Sequence, residues 1–294
     1  MNNGTLTFAL FGNTYQKEKS ANIKEIVQDI VDLGGRIIIE HEFAEFLKDS
    51  VGLCVNDCCV FDSVSDEIDF ALSIGGDGTF LKTAQQVGRS SIPIIGVNTG
   101  RLGFISDVSP VEAKTFFRNI FEGKHCIEER SLLQCSFHGE KLSQSPFALN
   151  EVAILKHDMS SMISICTYVN DNYLATYQAD GLIISTPTGS TGYSLSVGGP
   201  IISPESKSLI ISPVAAHSLS FRPFVLNDDV KVSLEIKSRS HNYMVAIDGR
   251  SESFCDTTTV DIFKAPYSIK IVRSAGHSFF ATLRNKLLWG ADKR

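Results

Sequence analysis

The hydrophobic residues of the chain change their spacing near residue 123. Before that point, short apolar runs typical of buried strands alternate with stretches whose apolar residues recur at helical spacing. The predicted strands are 6–11, 36–40, 69–74 and 92–97, and the predicted helices are 23–31, 42–48, 79–88 and 109–121. The last of these helices opens with a capping box from Ser109 to Glu112 and has Pro110 at its first position. This order predicts an α/β domain, a Rossmann-like parallel sheet covered by helices.

From about Ser131 onward, apolar residues recur mainly at every second position. The apolar residues of 230–236 alternate with polar ones, and the pattern returns at 243–247, 260–262 and 269–271. The second part of the chain is therefore predicted to be mostly β, as a sandwich-like or layered sheet. Helical spacing returns at 279–288 and is followed by Gly290, so one more amphipathic helix is expected near the end.

The composition is that of an ordinary globular protein with an acidic balance. The chain has 294 residues, enough for two domains, of which 43% are hydrophobic and 20% charged. Its net charge of −6 argues against a nucleic-acid partner. No apolar run approaches the roughly 18 residues of a membrane span, and no signal sequence precedes the first strand, so a cytoplasmic protein without membrane association is expected. The seven cysteines are odd in number and scattered, which favours reduced thiols.

Candidate chemistry begins at Gly75-Gly76-Asp77-Gly78-Thr79, between a predicted strand and a predicted helix. Glycines let the backbone approach a ligand closely, and the N-terminus of the helix favours a phosphate group. A carboxylate beside phosphates is repulsive unless it binds a metal or accepts a proton from an attacking hydroxyl, and both roles belong to phosphoryl transfer. The alternative is an ordinary Asp-Gly turn without a ligand, because so short a motif is only a hypothesis.

Three later stretches also combine polar residues with glycines or with apolar neighbours. The loop 98–104 follows a strand and should lie beside the Gly75 turn, where Arg101 would face a phosphate unless it is a solvated loop residue. Asn150-Glu151 interrupts an apolar run, which suggests a cleft-facing pair or a strand edge. The run 177–196 is dense in hydroxyls and glycines, with Tyr193 available to stack on a base, although composition alone would also fit a surface loop.

These motifs, in this order and at about this spacing, resemble those of the NAD kinases. The Gly-Gly-Asp-Gly turn alone is shared with diacylglycerol kinases, sphingosine kinases and phosphofructokinases, whereas Thr186-Pro187-Thr188-Gly189-Ser190-Thr191 together with Asn150-Glu151 is more specific. The resemblance covers roughly residues 69–249. It implies transfer of the γ-phosphoryl group of ATP to the 2′-hydroxyl of the adenosine ribose of NAD, which gives NADP.

The resemblance also implies roles for individual residues and an arrangement of domains. Asp77 matches the family's proposed proton acceptor, at a turn where the donor phosphates would lie with Mg²⁺ or another divalent cation rather than at a dedicated metal site. The expected nucleotide-binding residues are Gly75, Gly76, Gly78, Thr79, Arg101, Asn150, Glu151, Gln178, Asp180, Thr188, Ser190, Thr191, Gly192, Tyr193, Ser194, Leu195, Ser196 and Arg250. The family's last helix returns to its first domain, which places the domains at 1–123 with 275–294 and at 124–274. A homodimer or homotetramer is implied.

Two departures from the family pattern and two other functions remain open at this point. Gly192 stands where the family most often has Ala, a loss of one methyl group that should be tolerated sterically. Gln178 occupies a position where some members have a basic residue, which leaves selectivity between NAD and NADH undetermined. A lipid kinase of the diacylglycerol type would share the Gly75 turn and bind membranes. A non-catalytic NAD(P)-binding sensor would keep the pocket without turnover.

Overall fold

The computed structural model describes residues 5–14, 20–51, 59–65, 67–100, 103–158 and 161–290. The chain divides into two compact units, one made of residues 1–129 and 269–294 and the other of residues 130–268. Within the described residues, no helix is both long enough and apolar enough to cross a lipid bilayer.

The first unit alternates strands and helices, as the spacing of its apolar residues predicts. Its strands are β1 Thr7–Gly12, β2 Arg36–Glu40, β3 Cys59–Phe61, β4 Phe70–Gly75 and β5 Ile94–Asn98. Its helices are α1 Ser20–Asp32, α2 His41–Phe46, α3 Asp77–Val87, α4 Pro110–Phe121 and α6 Phe279–Leu287. A π-helical turn, Leu47–Val51, extends α2, and a 3₁₀ turn, Gly88–Ser90, follows α3.

The strands of this unit form a parallel sheet in the order β3-β2-β1-β4-β5. Strand β17, Thr259–Ser274, adds a parallel partner at β5, where Ile271 lies opposite Ile94. Every residue of β4 and β5 is buried, as expected for central strands of a sheet covered on both faces. The predicted parallel α/β architecture is thereby confirmed, and the C-terminal helix α6 belongs to this unit.

Helix α4 shows how local sequence sets an element of this unit. The Ser109 N–H donates to Glu112 Oε2 at 3.3 Å, so the predicted capping box forms, with Pro110 at the first helical position. The apolar face of the helix then buries Phe116, Phe117 and Ile120 in the core of the unit.

The second unit is mostly β, as predicted. Its strands are β7 Phe147–Ala148, β8 Glu151–Lys156, β9 Ile163–Val169, β10 Asn172–Ala179, β11 Gly181–Ser185, β12 Ser208–Val214, β13 Phe224–Asn227, β14 Val232–Lys237, β15 Asn242–Ile247 and β16 Arg250–Cys255. Strand β6, His125–His138, starts in the first unit and pairs with β7 in the second. The short helix α5, Tyr193–Ser196, follows a 3₁₀ turn at Thr188–Thr191.

Two antiparallel layers enclose the core of the second unit. One has the order β10-β9-β14-β17, and the other is a six-stranded sheet in the order β13-β12-β11-β8-β15-β16. Alternate residues of β14 and β15 are buried, and apolar side chains of both layers belong to one cluster. The central strand β11 is buried throughout, which allows it to support the polar segment that follows it.

Replacing Phe117 by alanine should reduce the free energy of unfolding by about 3–5 kcal/mol, because the removed ring leaves a cavity. The ring is fully buried and meets Phe8 edge-on, with 6.0 Å between ring centroids. Urea unfolding followed by circular dichroism measures the change. Val111→Ala on the same helix is the control, since Val111 is 92% exposed and its replacement should matter by less than about 0.5 kcal/mol. Equal effects of the two changes would contradict the helix orientation.

Candidate active site

The candidate residues of the first unit begin at the turn between β4 and α3. Strand β4 ends at Gly75, Gly76 occupies the N-cap, and Asp77 is the first residue of α3. A Cβ on Gly75 would lie 2.2 Å from Thr79 Oγ1, so packing within the turn requires glycine there. The fold therefore places the first N–H groups of α3 and the positive end of its dipole at the carboxyl edge of the parallel sheet.

No steric contact in the described part of the chain requires glycine at positions 76 and 78. A Cβ on either residue would meet no atom within 4 Å, and the Gly76 φ of −100° is accessible to any residue. Both border an open cleft of about 290 Å³, whose lining residues are Gly12, Asn13, Thr14, Gly76, Gly78, Thr79 and Lys82. Side chains at these two positions would project into this cleft, and glycines in such a place are typical of a phosphate site.

Lys82 adds a cationic group to this cleft. Its Nζ lies 2.6 Å from Glu42 Oε2 at the surface, with both side chains about half exposed. An exposed pair of this kind contributes little stability, so the ammonium is available to an anion at small cost.

The carboxylate of Asp77 is held by the backbone of the following loop. Phe104 N–H donates to Oδ2 at 2.8 Å, while the N–H groups of Ile105 and Ser106 donate to Oδ1 at 3.2 and 2.9 Å. Since a carboxylate has about four acceptor positions, one position remains, on Oδ2. The structure thus fixes the orientation of the group and leaves one oxygen able to accept a hydrogen bond from a ligand.

The neighbouring loop is built to pass close to this carboxylate. A Cβ on Gly103 would lie 2.6 Å from the Ser106 carbonyl oxygen and 3.0 Å from Asp77 Oδ1, so only glycine fits. Asn98 is buried at the end of β5, and its Oδ1 accepts the Gly100 N–H at 2.7 Å. The predicted neighbourhood of this loop and the Gly75 turn is present, since the Thr99 N–H donates to the Gly75 carbonyl at 3.1 Å. Arg101 lies outside the described residues.

In the second unit, Asp248 organises the Asn150-Glu151 segment. Its carboxylate accepts the N–H groups of Leu149, Asn150 and Glu151 at 2.6, 2.8 and 3.1 Å. Asp248 itself has a φ of +48°, in the left-handed region that aspartate tolerates better than most residues. The sequence showed Asp248 only as part of an Asp-Gly pair between two strands, and no local signal indicates its three donors.

Arg250 supports the same region through backbone carbonyls. Its guanidinium donates to the carbonyl oxygens of Ile247, Ser145 and Phe147 at 3.1, 3.3 and 2.9 Å. Through these hydrogen bonds Arg250 stabilises the backbone segments around Asp248. Its expected contact with a dinucleotide stays a prediction.

Asn150 and Glu151 each have a buried oxygen that accepts no hydrogen bond within the described residues. Asn150 Oδ1 and Glu151 Oε2 are buried, and neither bonds to another atom of the described chain. Burial and the nearby Asp248 charge raise the pKa of Glu151 to about 7, although the Tyr193 N–H favours its ionised form. Buried polar atoms rarely remain unsatisfied, so the pair is consistent with a polar ligand.

The hydroxyl-rich segment after β11 divides into structural and accessible residues. Ser190 and Ser194 are fully buried, and their hydroxyls bond to the backbone of Ile202 and to Ser212. The two serines therefore stabilise the conformation of the segment. Tyr193, by contrast, is 38% exposed. Thr188 and Thr191 are partly exposed and Ser196 is exposed.

Gly192, the departure from the family pattern, lies against this pair of acceptors. A Cβ at this position would be 3.0 Å from Glu151 Oε2 and 3.6 Å from Asn150 Nδ2. An alanine would therefore need shifts of a few tenths of an ångström by the Glu151 carboxylate and by the Gly189 carbonyl oxygen, which would lie 3.2 Å from the Cβ.

Asp180 and Gln178 lie away from Glu151 along the sheet. Ser185 of β11 pairs with Glu151 of β8, and Gly181 pairs with Leu155, so Asp180 lies roughly 15 Å from Glu151 along the strands. The Asp180 carboxylate bonds to Lys156 Nζ at 2.7 Å, a partner that the sequence did not indicate. Gln178 Nε2 donates to Ser164 Oγ at 2.9 Å. The predicted residues of this unit thus form two groups, one at each end of β11.

None of the described residues forms a group of three or more His, Cys, Asp and Glu side chains arranged to hold a metal ion. Of the closely spaced Cys54, Cys58 and Cys59, only Cys59 lies within the described residues, and its thiol forms no disulfide.

Glu151→Gln should change the pH dependence of stability. The pKa of Glu151 rises from an ordinary value of 4.5 to about 7 on folding, so the wild type loses stability as the pH rises from about 4.5 to 7. The glutamine variant lacks this loss and should unfold with a free energy higher by on the order of 2–3 kcal/mol at pH 8, with little change at pH 4. Urea titrations at several pH values measure both curves. Glu235→Gln, at an exposed position of β14, is the control, and parallel curves for wild type and Glu151→Gln would contradict the assignment.

Comparison with known proteins agrees with the motifs. Residues 8–125 match the ATP-NAD kinase N-terminal domain, and residues 149–274 match the ATP-NAD kinase C-terminal domain. The NAD kinase of Bacteroides fragilis is 53% identical over 98% of this chain and 100% of its own length. Those of Porphyromonas gingivalis and Flavobacterium psychrophilum are 44% and 41% identical, with 97% and 98% of this chain covered and 99% and 100% of their own lengths.

Solved structures show the same fold. A yeast NADH kinase complexed with NADH aligns with a TM-score of 0.86 at 21% identity, over 100% of this chain and 90% of its own. An NAD kinase from Archaeoglobus fulgidus in complex with ATP aligns with a TM-score of 0.75 at 25% identity, over 96% and 99% of the two chains. The resemblance predicted from the motifs is confirmed, and the chain belongs to the NAD kinase family.

Proposed function

We propose that the chain transfers the γ-phosphoryl group of ATP to the 2′-hydroxyl of the adenosine ribose of NAD, with Asp77 orienting that hydroxyl. The observation that supports this most strongly is the Gly76-Asp77-Gly78 arrangement. Among the described residues, no contact requires glycine at 76 or 78, and the Asp77 carboxylate between them has one acceptor position that no backbone N–H occupies. The NAD kinase relatives, similar over nearly the whole chain, support the choice of ATP and NAD as substrates.

The donor side belongs to the first unit. The phosphates of ATP, with Mg²⁺ bound to them as part of the substrate, would lie on the N–H groups at the start of α3, beside Thr79 and Lys82. The chain supplies positioning and neutralisation of charge there, which are the main protein contributions to phosphoryl transfer. Arg101 is expected to contact a phosphate as well.

The acceptor side belongs to the second unit. Asn150 and Glu151 would satisfy their buried acceptor atoms with polar groups of the dinucleotide, and Tyr193 would stack on a base. The other expected contacts are Gln178, Asp180, Thr188, Thr191, Gly192, Leu195 and Ser196.

The proposed reaction moves one phosphoryl group from ATP to the ribose. The ribose oxygen forms a bond to the γ-phosphorus, the bond from that phosphorus to the β,γ-bridging oxygen breaks, and ADP leaves. The hydroxyl proton passes to Asp77 Oδ2 late in the transfer, because a carboxylate is a weak base, and from there to water.

Assembly and location complete the proposal. The family resemblance implies a homodimer or homotetramer, and exposed apolar side chains at Leu219, Phe224 and Val225, the last two on the edge strand β13, support a contact surface there. A cytoplasmic location stays a prediction from the sequence.

Asp77→Asn should lower kcat for NADP formation by at least about 100-fold while the KM values for ATP and NAD change little. Asparagine can still accept the Ile105 and Ser106 amides through Oδ1, but its NH₂ group faces Phe104 N–H, so a stability loss of about 1–3 kcal/mol is expected as well. Assays of wild type and variant with Mg²⁺, ATP and either NAD or NADH measure turnover.

The matched control is Asp69→Asn, which changes another carboxylate that accepts a backbone amide, from Thr7 at 2.7 Å, away from the cleft. Near wild-type turnover of folded Asp77→Asn would remove Asp77 from the transfer. The absence of product from wild type with either acceptor would refute the proposed reaction.

Gly78→Ala should separate stability from activity. The residue is in the first turn of α3 and a methyl group meets nothing within 4 Å, so the variant should be as stable as wild type or more stable by up to about 1 kcal/mol. The same methyl group would obstruct the phosphates, so a rise of tenfold or more in the KM for ATP or a matching loss of kcat is expected. Gln85→Ala on the exposed face of the same helix controls for helix propensity. Unchanged kinetics of Gly78→Ala would place the donor phosphates elsewhere.

A further inference from the structure

A cluster of four charged side chains lies behind the loop that holds Asp77. Arg273, which is 3% exposed, bonds through Nη1 to Asp107 Oδ1 at 2.6 Å and through Nε to Glu128 Oε2 at 3.2 Å. His277 meets the other oxygens of the same two carboxylates, with Nε2 3.2 Å from Asp107 Oδ2 and Nδ1 3.2 Å from Glu128 Oε1. With His277 protonated, two cations face two anions, and the cluster is neutral.

One peptide unit connects this cluster to the candidate catalytic carboxylate. Arg273 Nη1 also donates to the Ile105 carbonyl oxygen at 2.9 Å. The N–H of that same peptide unit belongs to Ser106, and it donates to Asp77 Oδ1 at 2.9 Å. The Arg273 guanidinium and the Asp77 carboxylate therefore bond to the C=O and the N–H of one peptide unit. Hydrogen bonds linked in a chain of this kind polarise one another.

The protonation of His277 is part of the cluster's geometry. The charged and polar groups that face its ring are Asp107 from the loop, Glu128 from β6, Arg273 from β17 and the Thr282 hydroxyl from α6. Hydrogen bonds to Asp107 and Glu128 raise the pKa of His277 to about 9, against the opposing effects of burial and Arg273. Although burial opposes it, His277 and Arg273 together hold the pKa of Asp107 below its ordinary value. At neutral pH His277 is thus protonated and Asp107 ionised.

We propose that Arg273 and His277 are positioning residues for phosphoryl transfer, which set the orientation of the Asp77 carboxylate through the Ile105–Ser106 peptide unit. The inference rests on the proposed function of Asp77. Loss of the His277 proton removes one positive charge from beside the two carboxylates, so Arg273 is attracted more strongly toward them and its hydrogen bond to the Ile105 carbonyl weakens. Catalysis then declines while the substrates, which contact other residues, still bind.

Arg273→Lys tests this hydrogen bond directly. A lysine keeps the charge but is a single point donor that cannot reach both carboxylates and the Ile105 carbonyl as the planar fork does. We expect kcat to fall tenfold or more and the KM values for ATP and NAD to change less than twofold. Urea titration of each variant establishes that the protein is folded under assay conditions.

The pH profile tests His277. In the wild type, the part of kcat that depends on this proton is present in full at neutral pH and is lost as the pH rises through about 9, the pKa of His277 in the folded protein. His277→Gln should have a reduced kcat at pH 7 and no such alkaline decline. His138→Gln is the matched control, since His138 Nε2 pairs with Asp261 at 2.9 Å at a more exposed place in the second unit, and it should keep the wild-type profile.

Amide hydrogen exchange at Phe104, Ile105 and Ser106 separates failure of this inference from failure of the proposed function. Faster exchange in Arg273→Lys, with kcat reduced and KM preserved, supports the inference. Unchanged exchange, or an alkaline decline that persists in His277→Gln, overturns it even when Asp77→Asn is inactive. If the wild type forms no NADP, the function of Asp77 fails and the positioning role with it, while faster exchange would then report only a structural clamp.

Discussion

In each unit, the candidate residues depend on a carboxylate that accepts three consecutive backbone N–H groups. Asp77 holds the amides of Phe104, Ile105 and Ser106 in the first unit, and Asp248 holds those of Leu149, Asn150 and Glu151 in the second. In each case a carboxylate satisfies backbone donors in a loop or at the start of a strand, where the ladder of the sheet does not satisfy all of them. The two carboxylates differ in their surroundings: Asp77 is partly exposed and lies between two glycines that line the cleft, whereas Asp248 is largely buried next to the segment that it positions.

The sequence predicts the elements of the fold because their signals are local. Strand β2 has the predicted bounds, Arg36–Glu40, and α4 begins at the predicted capping box, since each depends on apolar spacing or on side chains three positions apart. Strand β3, Cys59–Phe61, was not predicted because it is short and two of its three residues are exposed. The order of strands in the second unit was not predictable either, because pairing there joins residues far apart in the chain.

The candidate site could be predicted in outline because its motifs are also local. The prediction was incomplete because residue types do not reveal contacts between distant parts of the chain. Residue types at Gly75–Thr79, Asn150-Glu151 and 186–196 indicated polar ligands, but composition does not tell an internal role from an external one. Ser190 and Ser194 turn their hydroxyls inward, and Gly75 is required by Thr79 packing whereas Gly76 is not. Lys156 and Asp248 were missed because each has a partner distant in sequence, and Lys82 because it lines the cleft only once α3 packs beside the end of β1.

The first unit is discontinuous in the chain, and this has a consequence for biosynthesis. Residues 1–129 form one compact body with residues 269–294, and the whole second unit is made in between. As a ribosome extends the chain, the second unit can fold while β5 still lacks its partner Ile271 and the Ile105 carbonyl still lacks Arg273. The loop that Asp77 contacts is therefore completed only after the last strand is made, and a chain terminated before residue 269 lacks the Arg273 contact to the Ile105 carbonyl even when its second unit is folded.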